Sequence, residues 1–267
     1  MAIDYFGAGV LFATPTYDAS GSAIAVPSPV QFGIVQDVTI DDSADVKELY
    51  GANQYPVDIG RGKAKLVIKC KQAQFSAQLF NSIYYGQTLV AGYAAVVADT
   101  VGTAVPTGAG ATAVNVNAVA TGGASAIFAA DLGVQDGNGK PYTRVASSPT
   151  AGQYSLVTGV NSSGATYQFS NQDVGNIVFI NYQYTNAASP VAARNLTVSN
   201  IQMGSVPVFS AQFFSKRSGH SLWRKFPACV ATKLSMDFKN DDFSIPDFEF
   251  SAFADSNNVV QYYSFTE

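Results

Sequence analysis

Apolar and polar residues alternate along much of this chain, and one run organises the rest. Residues 62–86 read GKAKLVIKCKQAQFSAQLFNSIYYG. Ala64, Leu66, Ile68 and Cys70 fall on one face, while Lys63, Lys65, Lys69 and Lys71 fall mostly on the other. A period of two sustained over eight or more residues predicts a strand that is half buried and half wet. From about Gln72 the period changes: Phe75, Leu79 and Ile83 recur at i, i+4 and i+8, with Phe80 and Tyr84 widening the stripe. This predicts a short amphipathic helix closed at Gly86, where a left-handed cap favours a residue without a Cβ. Its apolar face must pack on the sheet just left, and it is the one substantial helix expected.

The remaining pattern predicts strands and turns. Residues 8–14 and 30–40 read as strands, separated by an Ala/Ser/Gly/Pro-rich loop that runs to about Ser28. Residues 44–61, ADVKELYGANQYPVDIGR, read instead as a polar connection. Connections longer than about 12–15 residues are uncommon in compact domains, so this one is a candidate assembly loop. Farther on, 111–119, 125–131, 142–147, 152–157, 166–170 and 176–185 read as short strands. Turn signals such as Asp136-Gly137-Asn138-Gly139 and Ser148-Pro149 divide them, a spacing that predicts a small β-sandwich. After about Ile201 strong alternation resumes, and 207–216, 220–227, 228–239, 244–255 and 259–267 read as an antiparallel meander. The predicted organisation is a β core in two parts, 1–86 and 201–267, with a β domain inserted at 87–200.

Composition sharpens this picture. The 267 residues are 47% hydrophobic and 12% aromatic, enough to build a real core. Charged residues make up 13%, about half the usual share, so extensive subunit contacts are expected. Residues 87–200 hold only seven of these charges: Asp99, Asp131, Asp136, Lys140, Arg144, Asp173 and Arg194. The net charge of −4 argues against gripping nucleic acid phosphates and suits a surface that nucleic acid slides past. Cys70 and Cys229 both sit in alternating strands and are expected to be buried free thiols rather than a disulfide. The N-terminus lacks a secretory pattern, and no run reaches the roughly 18 apolar residues of a membrane span.

Side chains that catalysis or metal binding would need are sparse. His220 is the only histidine, and with two distant cysteines it leaves a structural zinc site short of ligands. Asp136-Gly137-Asn138-Gly139-Lys140 has a lysine where a calcium loop wants an oxygen ligand, and no Glu at loop position 12. Gly60-Arg61-Gly62-Lys63 lacks the Ser/Thr of a phosphate loop, and Gly108-Ala109-Gly110 precedes no helix. Asp247 and Glu249 alternate with Phe248 and Phe250 as on a solvated strand face. Neither catalysis nor a cofactor or metal is expected. Lys216, Arg217, Arg224 and Lys225 form the one basic cluster, expected to meet acidic residues of a neighbouring subunit.

The run VQDVTIDDSADVKELYGANQYPVDIGRGKAKLVIKCKQAQFSAQLFNSIYYG (35–86) resembles the tail tube (major tail) proteins of tailed bacteriophages. The carrying features are the Lys-Glu-Leu-Tyr-Gly segment at Lys47 to Gly51, the turn at Gly60 to Lys63, the basic alternating strand and the short helix. NDDFSIPDFEFSAFAD (240–255) is similar to that family's penultimate strand, and 87–200 looks like β modules of phage structural proteins. The likeness covers roughly 150 residues at the two ends of the chain, and the size of the insert departs from it. It implies a mainly β fold of two packed antiparallel sheets with one flanking helix, self-association into hexameric rings, and stacking into a tube through which the genome leaves. It further implies a virion tail location after synthesis in the host bacterial cytoplasm. Tail partners would be a tape measure, a terminator, a baseplate or tip, and a sheath where the tail has one. DNA would pass the lumen without specific binding. Candidate subunit contacts are Lys47, Glu48, Leu49, Tyr50, Asn53, Tyr55 and Arg61 of the connection, with Lys216, Arg217, Arg224 and Lys225. The alternatives are a carbohydrate- or cell-surface-binding protein acting through 87–200, or the inner tube subunit of a related bacterial secretion machine.

Overall fold

A computed structural model describes residues 7–74, 76–107, 113–158, 162–187 and 193–266. Phe75 and Gly108-Ala109-Gly110, used above, lie outside the described residues, as do Ala111 and Thr112 at the start of the expected 111–119 strand. The chain is mainly β and divides into two compact units, Met1–Thr88 with Leu196–Glu267, and Leu89–Asn195.

The first unit opens with β1 (Val10–Tyr17), β2 (Val30–Gln31), β3 (Val35–Tyr50) and β4 (Pro56–Gln72). The expected 30–40 strand is therefore broken at Phe32, which turns into the core and is fully buried. After β4, Ser76 caps α1 (Ala77–Phe80) by accepting from the Leu79 N–H at 3.3 Å. The helix continues as a π-helical turn, Asn81–Tyr85, and stops at Gly86 with φ of 61°. A Cβ at Gly86 would also stand 2.7 Å from Pro207 Cγ and 2.9 Å from the Ala19 nitrogen, so position and backbone both demand glycine. Leu79, Phe80 and Ile83 are buried, which is the stripe the sequence predicts.

The second unit contains β5 (Leu89–Ala91), β6 (Tyr93–Val97), β7 (Thr103–Ala104), β8 (Ala113–Asn117), α2 (Ala118–Gly122), β9 (Ala126–Asp136) and β10 (Thr143–Val145). β11 (Gln153–Thr158), β12 (Gly164–Phe169), β13 (Ile177–Asn186) and β14 (Arg194–Leu196) follow. One sheet has the order β10-β11-β12-β8; in the other, β13 pairs with β6 and β7 on one side and β9 on the other. Both face a single core in which Phe128 stacks on Tyr182 and meets Tyr167 edge-on.

The chain returns through β15 (Val208–Arg217), β16 (His220–Ser235), β17 (Asp247–Phe253) and β18 (Tyr262–Phe265). All pairings in the first unit are antiparallel, in the order β2-β1-β15-β16-β17-β4-β3 with β18 also on β16. Hydrogen bonding runs unbroken through this one sheet, where the resemblance implies two. The expected strands 220–227 and 228–239 are a single strand, because the register shift between Ala211↔Phe226 and Phe209↔Cys229 accommodates Pro227 in a bulge. One face buries Leu11, Ala13, Ile68, Cys70, Phe209, Phe226, Cys229, Phe248 and Phe250 beneath the helix residues. Each large side chain removed from water here stabilises the unit by about 1.5–3 kcal/mol. Both cysteines are free and buried, and burial pushes the Cys70 thiol up to about 12 and raises that of Cys229 as well.

Candidate assembly surface

The β3–β4 hairpin outgrows the sheet that carries it. β17 pairs with β4 only from Asp247↔Lys71 to Ala252↔Leu66. Beyond that point 43–50 and 56–65 pair with each other alone, from Ser43↔Lys65 to Tyr50↔Pro56. The result is a two-stranded arm with a turn at 51–55 and almost every residue exposed. This corrects the reading of 44–61 as a loop. The backbone is strand, but both faces are wet, so burial imposes no alternation. Register shifts between Ala44/Val46 and Leu49/Tyr50 further break the phase.

The sequence-derived contact residues on this arm do come together. Lys47, Glu48, Leu49 and Tyr50 line β3, Asn53 and Tyr55 occupy the turn, and Arg61 lies opposite Val46 on β4. The Tyr50 hydroxyl donates to Glu48 Oε2, which raises the phenol's pKa. Arg61 Nη2 stands 3.9 Å from Asp42 Oδ1 in a loose, exposed pair. Sequence reasoning missed Val46 and Ile59, which share a face of the arm with Glu48 and Arg61, and Val57 at the register shift beside them; the three are 59, 59 and 71% exposed. The Val57-Asp58-Ile59 alternation was the available signal.

The basic cluster, by contrast, comes apart. Lys216 and Arg217 sit at the β15–β16 turn, and Lys225 faces the same side as Gln212, its partner across the strands. Arg224 lies on the core side opposite Phe213. Its guanidinium packs 4.3 Å from the Tyr263 ring centroid and 5.4 Å from that of Phe226. Nη2 donates to Gln261 Oε1 at 2.6 Å, and Gln261 Nε2 donates to Asp42 Oδ2 at 3.1 Å, while burial lowers the Arg224 pKa. Arg224 thus joins β16 to the base of β3 within one subunit, apart from Lys216, Arg217 and Lys225, with its side chain half-buried. The alternation Leu222, Arg224, Phe226 already places it with the core residues.

Two edges of the sheet remain open. Among the described residues no strand pairs with the outer side of β3. On the other edge, β2 covers β1 only at Phe12 and Ala13, with one bridge from Tyr17 to Ala23. Both β4 and β16 run antiparallel to β17, and Leu66 and Cys229 are level with Ala252. The arm turn, ten residues before Leu66 or more, and the 217–220 turn, nine before Cys229 or more, therefore lie at the same end of the sheet. β18 (Tyr262, Tyr263, Phe265) is exposed near this end too.

Among the described residues no three of His, Cys, Asp and Glu come close enough to hold a metal, and no helix is long and apolar enough to cross a membrane. An open groove of about 670 Å³, lined by Tyr17, Val206, Val208, Pro227 and Phe253, has Asp255 as its one carboxylate. That carboxylate accepts from the Asn257 and Val259 N–H groups and so serves its own turn. Compared with the sequence patterns of known protein families and with characterised proteins, the chain matches none.

Proposed function

We propose that this chain is a structural subunit of a phage tail tube, joining six to a ring and stacking ring on ring around a channel for the genome. The observation that carries the reading is the arm. A two-stranded ribbon with nothing on either face is marginal in water, and exposed Val46, Val57 and Ile59 add a cost that only another surface removes. The outer edges of β3 and β1 offer unpaired backbone groups on opposite sides of one sheet. Pairing one edge with the other edge of the next copy is a heterologous contact, which closes into a ring when the rotation fits. The number six comes from the likeness of 35–86 to tail tube proteins. A chain that is poor in charge and net negative supplies walls that do not hold DNA. In this reading the tape measure, terminator, baseplate or tip and any sheath meet the assembled tube rather than the single subunit, and the protein resides in the virion tail.

The test is the state of the purified protein. Negative-stain images and light scattering are expected to show six-membered rings or tubes with a central hole. A chain that stays single at millimolar concentration would overturn the proposal.

A further inference from the structure

The strand that ends in the basic turn carries something different at its far end. β16 spans His220–Ser235, 16 residues and roughly 50 Å of extended chain. Lys216 and Arg217 stand beside its start, at the end of the sheet where the arm projects. Past Ser235 comes the connection 236–246, MDFKNDDFSIP, at the opposite end. Phe238 and Phe243 there are 83 and 89% exposed, and Met236 is partly so. Asp242 Oδ1 accepts from the N–H of the adjacent Phe243 at 2.8 Å. Asp237, Asp241 and Asp242 outnumber Lys239, and among the described residues none of the three carboxylates is in an ion pair. Two phenylalanines standing in water amid carboxylates are unusual for a surface with no partner.

Resting on the tube reading above, we infer that connection 236–246 is the receiving surface for a second copy of this chain, which meets it head to tail with its arm and its 216–220 turn. Complementarity points to this occupant. Apolar Val46, Val57 and Ile59 at one end match Phe238 and Phe243 at the other, and the Lys216/Arg217 turn matches the three aspartates. Matching patches at opposite ends of the same sheet make a contact that repeats along one axis and cannot close on itself as a two-fold dimer would. Lateral ring closure uses different surfaces, the β1 edge and the 35–42 part of the β3 edge below the arm, so the two contacts can be broken separately.

The test reverses the charges. Asp241→Lys with Asp242→Lys is expected to leave rings but abolish tubes in negative-stain images, with the thermal melt of the subunit unchanged. Adding Lys216→Asp and Arg217→Asp to the same chain is expected to restore tubes. Phe243→Ser alone should shorten them. Tubes from the Asp241/Asp242 variant equal to wild type would overturn the role of the connection, and loss without restoration would overturn its pairing with the basic turn. A wild-type chain that never assembles would sink the tube reading itself, an outcome distinct from either of these.

Discussion

The two compact units of this protein meet their polar and apolar needs in different ways. The second unit satisfies its few carboxylates within its own chain. Asp131, its side chain buried, accepts from Tyr154 Oη at 2.7 Å, Tyr167 Oη at 3.0 Å and the Gly133 N–H at 3.0 Å, with Arg144 at 3.5 Å. Asp99 accepts from three backbone N–H groups, at Val101, Gly102 and Ile180, and buried Asp173 accepts from Gly152. The first unit has a core of phenylalanines and aliphatics, yet it leaves two sheet edges unpaired and sends an arm bearing exposed Val46, Val57 and Ile59 into water. The second unit's sheets also end in open edges, β8 and β10 among them, so what sets the first unit apart is the two-stranded arm that is exposed on both faces. That arm is where a copy of the same protein can attach.

The largest expected effects probe whether the units are separate in stability. Phe250→Ala in the first core and Phe128→Ala in the second should each cost about 3–5 kcal/mol, since both side chains are fully buried. Denaturant unfolding followed by a probe in each unit should show each substitution moving one transition only; joint movement would erase the contrast. Next in size, Asp131→Ala strands two tyrosine hydroxyls and should cost the second unit about 3 kcal/mol.

Alkaline pH separates the units in another way. The Cys70 thiol is raised from 9.0 to about 12, chiefly by burial, so its stabilising effect is full below pH 9 and fades as pH climbs toward 12. The first unit should lose roughly 2 kcal/mol by pH 10.5 from this group, and Cys70→Val should flatten the decline. In the second unit burial and the Asp131 hydrogen bonds raise Tyr154 and Tyr167 above 10, so its decline should begin only beyond pH 10. Denaturant midpoints across pH 8–11 would check the order. Smallest for folding is Val46→Ser or Ile59→Ser on the arm, within about 0.5 kcal/mol of wild type by the same measurement. In electron micrographs those variants should nevertheless fail to stack.

These contrasts also explain how far the sequence could be read. The half of β4 from Leu66 to Gln72 and the helix after it were legible because each has one buried face, which writes a period into the residues. The arm half of the same strand has no buried face, and only the short Val57-Asp58-Ile59 alternation marks it as strand. Pro227 suggested a break because it cannot donate to a ladder, but a bulge absorbs it. α2, sequence AVATG, is too short and too uniformly small to show helical periodicity. For the contact surface, composition pointed to the arm and to Lys216 and Arg217. The alternation Leu222, Arg224, Phe226 assigns Arg224 to the core side, whereas its place beside Lys225 groups it with the surface charges.

The most direct test of the central claim, that the first unit completes its burial by joining copies of itself, is sedimentation velocity of the full chain beside a chain lacking 44–58, over a wide concentration range. The account predicts rings and longer stacks for the full chain, and for the shortened chain an intact β spectrum by circular dichroism with nothing larger than a single ring. A full-length chain that sediments as one copy at every concentration would contradict it.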